Sequence, residues 1–104
     1  MTETEELELG IEKAKADKAL ADALIRLNQN ADFNLLIIEG YLQKEAIRLV
    51  HEKVSSLKPD EVNRAIDSIS FLNQYLHSVL AQGALAVNDI LDSQNELDKL
   101  YEEA

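Results

Sequence analysis

The sequence predicts an all-α protein of three helical segments, forming a long helical hairpin or an elongated bundle, and three observations carry that expectation. One proline, Pro59, and three glycines, Gly10, Gly40 and Gly83, leave little in 104 residues to interrupt a helix. Apolar residues recur at helical spacing through most of the chain, most regularly after Pro59. Charge is segregated. Residues 1–12 carry Glu3, Glu5, Glu6, Glu8 and Glu12 with no base, residues 89–104 carry six acids against Lys99, and the 76 residues between hold nine acids and nine bases. The formal net charge of −10 is therefore terminal, and the length fits one domain, 1–104.

Helix one is expected over about 3–28, with an acidic first turn suited to the positive end of the helix dipole. The cluster Asn28-Gln29-Asn30-Ala31-Asp32 interrupts it, because these side chains compete for backbone hydrogen bonds. Asn30 or Asp32 then caps helix two, about 32–54. Ser55-Ser56-Leu57-Lys58-Pro59 is the stronger break. Proline costs nothing at the first turn of a helix, and Asp60 and Glu61 follow it, so helix three starts at Pro59 and runs to about 102. Its seam is Val62, Ile66, Ile69, Asn73, Leu76, Leu80, Gly83, Val87, Ile90, Gln94, Leu97 and Tyr101, a coiled-coil-like alternation of four and three. At ~1.5 Å per residue these about 44 residues extend roughly 66 Å, twice the reach of helix two.

The second half of helix three therefore needs a further partner. In an up-down-up bundle that partner is another subunit, with Leu80, Gly83, Val87, Ile90, Leu97 and Tyr101 as the interface, and the acidic ends lie apart. If the break at 28–32 is only a kink, helices one and two run back along all of helix three, and the acidic ends meet and repel, fraying 1–12 and 89–104. Folding back at 55–58 sets Ile47 opposite Ile66, Ile37 opposite Leu76 and Phe33 opposite Leu80. The same register sets Leu27 near Ala86 and Val87, Ala23 near Ile90 and Ala16 near Leu97. It also places Gly40 against Asn73 and Gly83 against the break at Asn28–Asn30, both as packing glycines. Gly40, Asn73 and Gln94 are the candidate register-setting residues, since polar groups in a seam fix alignment at a cost in stability.

No reactive constellation emerges. Cysteine is absent, His51 and His77 lack HExxH spacing, and the carboxylates near Asp89, Asp92 and Glu96 have no Glu-x-x-His partner, so neither a metal site nor a cofactor is expected. Ser68, Ser70 and Ser78 have no neighbouring base and there is no glycine-rich phosphate loop, so the chain reads as a non-enzyme. The longest aliphatic run, Leu35-Leu36-Ile37-Ile38, is far short of the ~18 residues of a membrane span, and the start Met1-Thr2-Glu3 lacks the bases of a signal peptide. Without basic clusters, direct binding to a phosphate backbone is not expected. The expected partners are proteins: further copies of this chain, and a basic surface for the acidic ends.

The middle segment Ala31-Asp-Phe-Asn-Leu-Leu-Ile-Ile-Glu-Gly-Tyr-Leu-Gln-Lys-Glu-Ala-Ile-Arg-Leu-Val50 opens a helix with Asp-Phe and continues through Glu-Gly-Tyr-Leu and Glu-Ala-x-Arg-Leu-Val. With Ile69-Ser-Phe-Leu-Asn-Gln-Tyr-Leu-His-Ser-Val-Leu-Ala-Gln-Gly83 and the acidic tail, it resembles small acidic helical proteins of tailed bacteriophages, over about Leu24 to Ala104. The resemblance lies in helix-packing residues. It implies a phage gene product from a head-assembly cluster, in the host cytoplasm or the virion, and supplies no catalytic or binding residues. Two functions are then expected to compete: a self-associating assembly protein that docks on virion components (head, portal or scaffold), and an inhibitor or decoy that binds a host protein.

Overall fold

The structure, a computed structural model, describes residues 2–103. Among these there are three helices and no strand: α1 (Glu3–Leu27), α2 (residues 31–52) and α3 (Pro59–Glu103). Each boundary has a local cause. Thr2 caps α1, its Oγ1 accepting from the Glu5 backbone N–H at 3.1 Å, and glutamate three residues after a threonine cap is the capping-box pattern. Asn30, in extended conformation, accepts the Phe33 N–H at 3.0 Å and opens α2. The Asn34 side chain donates back to the Asn28 carbonyl at 2.6 Å, tying the turn to the helix it precedes. Pro59 stands at the start of α3 with Asp60 and Glu61 in the first turn.

The helix α2 departs from the regular form expected. Its first turn, Ala31–Phe33, and its end, Ala46–Glu52, are α-helical, but Asn34–Glu45 between them is π-helical. In that pattern each N–H bonds the carbonyl five residues back, so each residue turns less about the axis and advances less along it than in an α-helix. Side-chain phase and register both change as a result. Gly40 sits inside this stretch, and a β-carbon built there would lie 2.9 Å from the Leu35 carbonyl oxygen, five residues back. Its expected packing against Asn73 is not found. The close neighbour is the backbone of its own helix.

The chain packs as two compact units, one of residues up to Leu24 with those from Ser78 on, the other Ile25–His77. In the first, α1 buries Ile11, Ala14, Ala21 and Leu24, and α3 buries Gly83, Ala86 and Leu97. Ala21 lies beside Gly83 while Glu8 reaches Tyr101, so the two helices run antiparallel. The acidic stretches thus share one unit, as the kinked arrangement requires and the up-down-up bundle does not. The partners differ from those expected: Ala16, Ala23 and Leu27 are exposed, and Gly83 meets Ala21 and the Asp17 carbonyl instead of the break at Asn28–Asn30. The turn at 28–30 and the π-helix use more residues per unit length than α3 does, which moves the register.

In the second unit Leu49, Val62 and Ile69 form the core, with Tyr41, Leu42, Ala46, Ala65 and Ile66 packed on it. Ile47, expected opposite Ile66, is 60 % exposed. Leu42, Ala46 and Leu49, at steps of four and three, face the core in its place.

Candidate interaction surface

Of the seam positions expected on α3, Gly83 and Leu97 are buried and Leu80 and Ile90 half-buried, whereas Val87 and Tyr101 are exposed. The buried members pack inside the acidic unit, where α1 is the partner of this part of α3. One row of the seam is displaced by one residue: Leu72, Ala86, Ser93 and Leu100 point inward where Asn73, Val87, Gln94 and Tyr101 were expected. Steps of three-then-four and four-then-three fit a 3.6-residue helix equally well. Ala86, 2 % exposed, and Gly83 are small enough to let α1 approach, which Val87 is not. Asn73 and Gln94 consequently face solvent, where a polar group costs nothing.

The acidic unit holds thirteen acids against four bases. Glu5, Glu8, Leu9 and Glu12 line a shallow depression of about 240 Å3 on α1. The Tyr101 hydroxyl donates to the Glu8 carboxylate at 3.1 Å, and this hydrogen bond, with the adjacent negative charge, raises the phenol above its ordinary value. That bond is a side-chain link between the two acidic stretches.

The other unit has a different surface. Six bases and seven acids leave it almost neutral. Arg48 donates to Glu45 through Nε at 3.0 Å and Nη2 at 2.5 Å, and through Nη1 to Glu52 at 2.6 Å. The hydrogen bond from Arg48 holds the Glu45 carboxyl below its ordinary range, and the two carboxylates raise the guanidinium in turn. In the same unit Ile38, Leu42, Gln43 and Ala46 of α2 and Ile66, Ile69, Ser70, Asn73 and His77 of α3 line an open groove of about 430 Å3. Ala46 also borders a second, shallower apolar depression with Ile47, Val50 and His51. In the turn that follows the helix, Val54 and Leu57 are 96 % and 99 % exposed.

These apolar residues were not singled out as an interface from the sequence. The signal was there: Ile47, Val50, Val54 and Leu57 recur at steps of three, four and three. The sequence register places only Ile47 of these, opposite Ile66, and gives the inward face to it and not to Ala46 and Leu49. Among the described residues no three His, Asp or Glu side chains gather as metal ligands, and no helix is long and apolar enough to cross a membrane. The chain matches no protein-family profile, no curated protein and no solved structure.

Proposed function

We propose that this protein is a non-enzymatic, phage-type helical assembly protein that self-associates through its helices and offers its acidic unit to a basic protein surface, such as a head, portal or scaffold component. The observation that carries the reading is the surplus of exposed apolar side chains in the charge-balanced unit, Ile47, Val50, Val54 and Leu57 among them. A helix that is apolar on two sides needs a neighbour on each, and a two-helix unit provides one. The chemistry of the other unit supports the second half of the reading. Thirteen acids in a small volume create a field that attracts a basic partner and repels an identical one.

Light scattering across a concentration series tests self-association, with more than one chain per particle as the expected result and a monomer at every concentration as the contrary one. Binding to a basic partner should weaken steeply with salt, because exposed charges are screened over ~10 Å at 0.1 M. Salt-insensitive binding would remove the acidic unit from the account.

A second reading, a host-directed inhibitor or decoy, is favoured by the meeting of both acidic stretches in one unit at Glu8 and Tyr101. It predicts one salt-sensitive complex with a single host protein, formed by a monomer of this chain.

A further inference from the structure

We propose that the charge-balanced unit is the place where two copies of this chain meet, through a two-fold interface that covers Ile47, Val50 and the groove beside Ala46. The inference rests on the self-associating reading above and names the surface that reading leaves open.

Continuity is the first argument. Ala46 borders both the 430 Å3 groove and the depression containing Ile47 and Val50, so the two are one apolar surface with Ala46 as its crest. Ile47 and Val50 remain 60 % and 58 % exposed on it. Leu42, Ala46 and Leu49 already face α3, so α2 presents one apolar stripe to its own hairpin and a second outward.

Charge selects the occupant. Arg48, between Ile47 and Leu49 in sequence, is neutralised by Glu45 and Glu52 of the same helix, and the unit as a whole is nearly balanced. An identical surface can approach it without repulsion. The acidic unit also exposes large apolar residues, Leu9, Leu20, Leu85 and Leu91, but there an identical copy brings thirteen more acids to meet thirteen. A basic partner would be drawn to that unit, which leaves the neutral apolar face to a second copy of this chain.

Geometry agrees with that choice. Two antiparallel helix pairs that share an apolar face make a four-helix bundle, in which every helix has two neighbours. Paired about a two-fold axis, the same patch serves both copies. Gln43, Ser70, Asn73 and His77 at the groove then form the polar margin usual around an apolar interface centre.

The test compares the full-length protein with an Ile47→Glu/Val50→Glu variant and a Val87→Glu/Leu91→Glu variant, by sedimentation equilibrium and helical circular dichroism. All four side chains are exposed, so the fold should tolerate either change. The expected result is a wild-type dimer, a dissociation constant raised by roughly a hundredfold or more in the first variant, and little change in the second, since burying unpaired carboxylates in an apolar interface is costly. If the second variant dissociates and the first does not, self-association stands and the proposed surface falls. A wild-type monomer removes both. Methyl NMR of the wild-type chain on dilution gives an answer independent of either variant. Shifts at Ile47 and Val50 with Leu9 and Leu91 unmoved support the surface, and the reverse pattern overturns it.

Discussion

The two units solve the same packing problem with different residues. In the acidic unit the helices meet on small side chains, Ala14 and Ala21 on α1 and Gly83 and Ala86 on α3, set among the larger Ile11, Leu24 and Leu97. In the balanced unit they meet on large ones: Leu49, Val62 and Ile69, with Tyr41, Leu42 and Ile66 around them. Small residues allow close backbone approach, as where Gly83 meets Ala21. Large residues fill the centre of the balanced unit, and a groove lined by Ile38, Leu42, Ile66 and Ile69 stays open there. Charge follows the same division, with thirteen acids against four bases in one unit and seven against six in the other. One unit is strongly acidic and repels its own kind, while the other carries an apolar groove and is almost neutral.

The contrast can be broken most forcefully at the large-residue core. Leu49→Ala should cost about 2–5 kcal/mol, the range for truncating a buried leucine, measured by urea unfolding at fixed protein concentration because association would contribute to stability. A cost below ~1 kcal/mol, nearer that of a surface change, would mean that Leu49 does not hold this unit. Gly83→Ala tests the acidic unit. A β-carbon there would collide with the Ala21 Cβ, so one of the helices must shift. Overpacking costs about 1–3 kcal/mol and exceeds or cancels the ~1 kcal/mol of helix propensity gained, so the variant should be no more stable than the parent. A net gain of the full propensity term would deny the close approach.

Smaller effects sharpen the comparison. Asn30→Ala removes the cap on α2 and should cost about 1 kcal/mol, read as lower stability with helix content retained. The smallest effects are opposite in pH sense. Tyr101 is raised by its bond to Glu8, so its contribution is present below the ordinary value of 10.0 and is lost as pH rises through the higher folded value. Tyr101→Phe should remove that share of the alkaline loss. Glu45 is lowered by Arg48, so its contribution is present above the ordinary value of 4.5 and is lost as pH falls through the lower folded value. Arg48→Met should remove that share of the acid loss. Both sites are exposed, and parallel pH profiles for parent and variant would show that these pairs add nothing.

Much of this architecture is legible in the residues. Pro59 with Asp60 and Glu61 fixes the start of α3, Asn30 was one of two candidate caps, and the positions Val62, Ile69, Gly83 and Leu97 are buried as their spacing implies. What was not legible turns on phase. Ile38, Leu42 and Ala46 recur every four residues, a spacing that an α-helix and a π-helix both tolerate, so the choice between five-back and four-back bonding has no mark in the apolar pattern. Gly40 was the one local sign of irregular backbone, and it was assigned to packing against Asn73. The outward turn of Ile47 and Val50 has a different origin: both lie in the α-helical segment Ala46–Glu52, where Ala46 and Leu49 take the inward face. The choice of Ala86 over Val87 was hidden for another reason: hydrophobicity favours valine, but close packing against Ala21 and Gly83 favours alanine.

The central claim, that the balanced unit is completed by a second copy, is tested most directly by sedimentation equilibrium of the wild-type chain beside Ile47→Glu/Val50→Glu. The account predicts a wild-type dimer and a variant that is monomeric at the same concentration with its helix content intact. A variant that remains as dimeric as the wild type would contradict it.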